Sequence, residues 1–508
     1  MFTCYVHLLS RNPKGDVMGF RSSLVRGSAI ILVSTIVETS LSLVRNIVVA
    51  RLLADPDLLG ILSILASLRG VFLAVALLGI PTALARFFAQ FIGGEERESV
   101  RLIQTGFVLS TLLSLVSGAI MFAASWFLAI EVYHRHELIP LIQVGAFSVT
   151  ALAFRNILGG ALRGLRRMSS LAILIIIENS LLLGASYVFV SWYGVIGAAY
   201  AVLAESLVAL IVALRFLFRD PRARTFIFLK RPDQRAVLKM LKYTLPIFAS
   251  GFVVLPAALS VQTFLAIRVS FSELGLYEIG YGFYSLLIAI PATLAVPLMP
   301  MVAQIKQRSP DRVNVIFAQA LRLMILVAIP LTIATSLSSR FLLQLLYGDA
   351  YTSADKLTSI LVLTAVFLGV VPVTTSFLLA SGRSLAVLSL DLVWAAVFVS
   401  ASYILIDRIG FLGIGYAHLG AGISLFVVQL LNFRRWFAAS LGPVRVPVSF
   451  SLLSTGLTLV LLQLFTSEQT LLLAVPVAGS LGVLSLLLMT PNERLILTSS
   501  IREVLKRH

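Results

Sequence analysis

The ten residues GVIGAAYAVL start at Gly194, and GFLGIGYAHL starts at Gly410. Gly194 pairs with Gly410, Gly197 with Gly413, Tyr200 with Tyr416, Ala201 with Ala417 and Leu203 with Leu419. Five matches in ten can arise by chance in so biased a sequence, but the offset of 216 recurs within two residues elsewhere. Gly60 matches Gly275, Ala89-Gln90 matches Ala303-Gln304, and Ser170-Leu171-Ala172 matches Ser384-Leu385-Ala386. Long-period self-similarity of this kind marks an internal repeat.

The repeat lies in an apolar chain. Of 508 residues, 59% are hydrophobic and 12% charged, too few charges to coat a soluble protein of this length. Continuous apolar runs of about 20 residues, the length that crosses a bilayer as a helix, recur along the chain. Their continuity excludes the alternating pattern of a membrane β-barrel. The sequence predicts an all-α polytopic membrane protein of about 14 transmembrane helices. The expected spans are 27–50, 59–85, 103–129, 138–162, 171–191, 194–215, 243–267, 277–303, 316–337, 357–380, 385–406, 411–432, 447–466 and 469–489.

The repeat divides these spans into two pseudo-symmetric six-helix bundles plus two C-terminal helices. The expected organisation is an N-terminal tail (1–26), a first bundle (27–215), a basic linker (216–242), a second bundle (243–432), helices 13 and 14 (447–489) and a tail (490–508). The first 17 residues read as a dispensable tail or a misplaced start before Met18, not as a signal peptide. The lone cysteine, Cys4, excludes an intramolecular disulfide. Six spans per copy is an even number, so both copies enter the membrane in the same direction. Their symmetry axis then runs along the membrane normal, and rocking about the cleft between them gives alternating access.

The net charge of +17 points to topology rather than nucleic acid. With the N-terminus inside, inner segments carry 30 Lys and Arg and outer segments 6, with 4 more inside spans. That asymmetry is the positive-inside rule and places both termini in the cytoplasm of a multi-pass cell-membrane protein. The basic loops, RDPRARTFIFLKRPDQR (219–235) among them, are expected to meet anionic lipid heads. A charged side chain at the bilayer centre costs about 2.5–3.5 kcal/mol on insertion scales, so each one within a span needs a reason. Glu38 and Arg45 lie two turns apart on one face of span 1. Counting from the turn near Asp55 places Glu38 and Arg69 at matched depth as a pair, which leaves Arg45 without an acidic partner. Counting from Arg166 matches Arg155 with Glu178 as a structural ion pair. Glu205 and Asp391 have no such partner and are candidates for proton or ion coupling, with a hydrogen-bonded carboxylate as the alternative for Glu205. Arg45, Arg69 and Glu38 form the candidate substrate site. The excess of arginine suggests a cationic cleft for a phosphate-bearing cargo, because guanidinium donates two parallel hydrogen bonds. Snorkelling of Arg45 to the interface is the competing explanation.

The stretch RNIVVARLLADPDLLGILSILASLRGVFLAVALLGIPTALARFFAQ (45–90) resembles the opening of polysaccharide flippases of the multidrug/oligosaccharidyl-lipid/polysaccharide exporter superfamily. LLQLLYGDAYTSA (342–354) and the Gly410–Gly413 pattern are similar to that family too, and the span count agrees. The resemblance implies a flippase for polyprenyl-diphosphate-linked oligosaccharide, with lipids and glycan-assembly enzymes as its company. It carries no ligand motif, so the site residues rest on burial and charge alone.

A Na⁺- or H⁺-coupled drug or metabolite exporter of the same superfamily is the first alternative. A membrane glycosyltransferase or polymerase is the second, and it needs an acidic pair on a large outer loop. The segment 338–356 offers Asp349 and Asp355, which read as solvated loop charges. His134 and His136 in one short loop read as polar surface rather than a metal site. No Gly-Lys dipeptide occurs, which excludes a Walker-type phosphate loop, and no cofactor is expected.

Overall fold

The computed structural model describes residues 17–92, 96–219, 234–295, 302, 310–437 and 442–489. Cys4, residues 1–16 of the expected N-terminal tail, residues 220–233 of the linker and the tail 490–508 lie outside the described residues. The first half contains α1 (Val17–Leu53), α2 (Pro56–Leu77), α3 (Ile80–Ile92), α4 (Glu96–Ala123), α5 (Leu138–Gly164), α6 (Met168–Tyr193) and α7 (Val195–Phe218). The second contains α8 (Gln234–Phe252), α9 (Val254–Arg268), α10 (Phe271–Ala295), α11 (Pro310–Leu337), α12 (Ser339–Leu346), α13 (Asp355–Leu368), α14 (Val371–Ala380), α15 (Ser384–Ile409) and α16 (Leu412–Phe437). Then come α17 (Gly442–Leu464) and α18 (Ser467–Leu488), which pack on α11.

Among the described residues, twelve helices are long and apolar enough to cross a membrane. The fourteen expected spans are completed by α1 and by the pair α8 and α9. Here a turn at Val253 separates α8 from α9, an apolar helix too short to span alone. α8 also begins within the stretch read as linker. Its Met240 is fully buried in the core that α3, α4 and α5 share. Two further expected spans are interrupted. Span 59–85 breaks into α2 and α3 at Leu78 and Gly79, whose φ angles of 44° and 72° lie in the left-handed region. Span 357–380 breaks after Leu368, where Gly369 caps α13 and Pro372 stands in the first turn of α14.

The repeated decapeptide builds the same turn twice. Gly194 has φ 60° and ψ −138°, and Gly410 has φ 65° and ψ −147°. Each reverses the chain between two antiparallel helices, α6 to α7 and α15 to α16. A side chain at either place would be strained, because positive φ puts Cβ against backbone. Three residues on, a Cβ at Gly197 would strike the backbone of Phe189, and one at Gly413 would strike that of Leu405. These contacts again lie 216 residues apart.

The two halves are joined by a seam between α2 and α10. Asp55 starts α2, its carboxylate accepting the Asp57 amide at 2.8 Å, with Pro56 in the first turn. One turn later, a Cβ at Gly60 would run into the carbonyl of Phe271, and one at Gly275 into the carbonyl of Pro56. Glycine at both positions is what lets the backbones approach so closely. More bonds cross between halves at the same end. Arg51 donates to the carbonyls of Leu346 (2.7 Å) and Leu345 (2.5 Å) at the end of α12. The buried Tyr351 donates to the carbonyl of Ala50 at 2.9 Å, and the Tyr133 and Thr263 hydroxyls are bonded at 2.9 Å. Gly60→Ala is expected to force the seam apart and cost about 1–3 kcal/mol, the usual penalty for overpacking. Thermal unfolding of the detergent-solubilised protein would read this, and an unchanged melting temperature would contradict the close approach.

Candidate functional site

Behind the seam, charged side chains from α1, α2, α5, α6, α7 and α10 meet inside the apolar bundle. Arg45 on α1 and Arg69 on α2 each keep some accessible surface although protein surrounds them, so both sit inside the bundle. Neither points outward to the acyl chains. Gly145 on α5 packs against α2, where a Cβ would lie 2.9 Å from Leu65 Cδ1 and in ordinary contact with Arg69 Cδ at 3.5 Å. The Nε atoms of both arginines are buried without a hydrogen-bond partner. Among the described residues neither guanidinium has a carboxylate within 4.0 Å. Their charge partners act from further off: Glu205 and Glu278 on Arg45, and Glu205 on Arg69.

Arg155 on α5 and Glu178 on α6 are joined by two parallel hydrogen bonds, Nε to Oε1 and Nη2 to Oε2. Both side chains are about nine-tenths buried, at 10% and 9% exposure. Such a fork satisfies the geometry that a buried pair requires.

Glu38 does not pair with Arg69. It stands beside Arg155 and Glu178. The reason is azimuth rather than depth. α1 leaves the Ala54 turn and packs along α6, with little contact to α2, so helices consecutive in the chain are not neighbours over their length. Ser42 donates to Asn179 at 3.4 Å on the α1–α6 face. Glu205 is not isolated either. It is 8% exposed, accepts a 3.2 Å hydrogen bond from Ser206, and lies among Glu178, Arg69 and Arg155. Asp391 on α15 is half-buried and far less connected. Among the described residues no charged group acts on it, and the repeat counterpart of Arg155 is Gly369.

The sequence reading omitted Glu278. The expected span starting at 277 makes it a terminal residue, where a carboxylate costs little. α10 in fact starts at Phe271, two turns earlier, and carries Glu278 inward. There it accepts a 2.9 Å hydrogen bond from Ser63 of α2. Tyr281 and Ser285 continue the same accessible stripe of α10 at helical spacing. Behind Tyr281 the ring of His418, 2% exposed, is enclosed by Tyr284 (4.9 Å), Phe398 (5.1 Å), Trp394 (5.8 Å) and Tyr281 itself (6.1 Å).

With Glu278 included, the expected excess of positive charge disappears. Arg45 and Arg69 face Glu205 and Glu278, two of each sign, and Glu38 beside the Arg155–Glu178 pair adds a further carboxylate. The asymmetry lies in bonding instead. Glu205 and Glu278 each hold a hydrogen bond from a serine, while among the described residues no hydrogen bond occupies the two guanidinium groups. Two forked cationic donors with no bonded carboxylate among the described residues can hold an oxyanion in two parallel bonds.

The comparisons with known proteins agree on the architecture. Residues 24–306 match the profile of the family described as Polysaccharide biosynthesis protein, and residues 246–404 match that of MatE. No curated protein matches. Among solved structures, the inward-facing conformation of a multidrug resistance MATE family transporter of the MOP superfamily superposes with a TM-score of 0.68 at 17% identity. That match covers 79% of this chain and 94% of the other. The outward-facing conformation of such a transporter gives 0.59 at 19% identity, covering 82% and 95%. A MOP superfamily transporter from Pyrococcus furiosus, described as having reverse polarity of its binding pocket, gives 0.57 at 19% identity, covering 81% and 95%.

Proposed function

Because this chain belongs to the polysaccharide biosynthesis protein family of MOP superfamily transporters, we propose that it is a flippase for a polyprenyl-diphosphate-linked oligosaccharide. One observation carries the reading: Arg45 and Arg69 lie inside the bundle with their Nε groups buried and without a hydrogen-bond partner among the described residues. A diphosphate presents paired oxygens in the geometry guanidinium prefers. The cargo's sugar occupies the rest of the cleft, and its lipid tail remains in the bilayer through a lateral opening.

The setting is the cell membrane with both termini cytoplasmic, following the distribution of basic residues. The α2–α10 seam then closes the outer face, and the cleft opens inward. The higher TM-score to an inward-facing relative supports this state. Anionic lipid heads meet the basic loops, and glycan-assembly enzymes supply and take up the cargo.

A second reading has support of its own. Glu205 and Glu278 supply two carboxylates in the cleft, and the MatE profile covers much of the second half. Acids of this kind suit an ion-coupled exporter of cationic compounds. Reconstitution separates the two. In proteoliposomes, a fluorescent polyprenyl-diphosphate sugar is expected to exchange between leaflets and cationic dyes to stay put. Dye movement without lipid exchange would select the exporter.

A further inference from the structure

Ser63 and Glu278 occupy the same position in the two copies of the repeat, 215 residues apart, like Gly60 and Gly275 one turn earlier. They therefore meet across the axis that relates the halves. Gly60 and Gly275 have stayed alike. This pair has become a hydroxyl donor and a carboxylate, bonded at 2.9 Å. Ser63 and Arg45, the groups that act favourably on Glu278, both belong to the first half, although Glu278 belongs to the second. The carboxylate thus does two things. It ties α10 to α2 just inside the seam, and it balances a cleft arginine that has no bonded partner.

Resting on the function proposed above, we propose that Glu278 is the resident counter-anion of the cleft, displaced electrostatically when a cargo diphosphate binds. Without cargo, attraction between Glu278 and Arg45 draws the second half toward the first and favours a closed seam. A diphosphate bound to Arg45 and Arg69 neutralises both. Glu278 then faces an anion instead of a cation, and like charges in a site of low dielectric repel. The attraction that favoured closure becomes a repulsion that favours parting. Loading from the open side is thereby linked to release at the sealed side, since a ligand shifts such an equilibrium only by interacting differently with its two states. Glu278 is a coupling residue here and donates nothing to the cargo.

Two variants separate charge from bonding. Glu278→Gln keeps an acceptor for Ser63 and removes the charge. Ser63→Ala removes the bond and keeps the charge. The probe is farnesyl diphosphate added to purified full-length protein in detergent. Seam width is read by spin labels at Glu131→Cys and Arg340→Cys, both exposed, in a Cys4→Ser background. The parent is expected to bind the probe and widen on binding. Glu278→Gln should bind about tenfold tighter, one unit charge's worth of repulsion at short range, and should lose the widening. Ser63→Ala should keep parental affinity and still widen. Parental affinity or parental widening in Glu278→Gln would overturn the role of Glu278, as would a tenfold gain in Ser63→Ala. A parent that binds no diphosphate would instead overturn the function proposed above, and the displacement of Glu278 with it.

Discussion

Leaflet exchange by the Arg45→Gln/Arg69→Gln double variant should fall by about 10²- to 10⁴-fold. Each hydrogen bond to a charged group is worth about 1.5–3 kcal/mol, and 1.4 kcal/mol is a factor of ten. Glutamine keeps a donor and most of the side-chain volume, so the loss reports charge and the forked geometry rather than packing. Folding should survive the change. Neither guanidinium has a hydrogen bond to lose among the described residues, and the insertion cost of about 2.5–3.5 kcal/mol relieved per removed charge offsets the compensation that Glu205 and Glu278 lose. The checks are initial exchange rates in proteoliposomes and the monodisperse yield from size-exclusion chromatography. Exchange at the parental rate in well-folded double variant would dismiss the arginines as the cargo site.

Glu178→Ala should have the largest effect on stability. It strands Arg155 in the bundle without its bidentate partner, and breaking a buried pair from one side costs about 3–5 kcal/mol. Glu38 stands beside Arg155 and offers partial compensation, so Glu38→Gln combined with Glu178→Ala should cost more than Glu178→Ala alone. Replacing both partners, as Arg155→Met with Glu178→Leu, should recover most of the loss, because the pair's net contribution is small next to the penalty for an orphaned charge. Melting temperatures of the four proteins in one detergent give the comparison. A double replacement as unstable as Glu178→Ala would show that the pair contributes more than mutual neutralisation.

How far the sequence could be read depended on which coordinate mattered. Depth along a helix follows from counting residues at a fixed rise, and this placed Arg155 level with Glu178 correctly. Azimuth and neighbour identity do not follow from counting. Glu38 was matched in depth with Arg69, yet the helix bearing it turns that face to α6. The breaks at Leu78, Val253 and Gly369 interrupt runs whose hydropathy is continuous, so an apolar window cannot register them. Proline and glycine nearby were the available signals. The repeat was legible to the residue at Gly194 and Gly410, because a positive φ admits few alternatives. Glu278 escaped because its helix starts two turns before the apolar run does.

The reciprocal contact of Gly60 with Phe271 and of Gly275 with Pro56 has the form of an isologous interface, in which one patch meets its own copy. Two separate polypeptides would make it as a homodimer. Within one chain the partners are no longer obliged to be identical, and the axis has become a place where a single substitution can break symmetry without being copied on the other side. Lineages sharing this ancestor are thus free to vary the residues just beyond the paired glycines, while the glycines themselves are bound to one another.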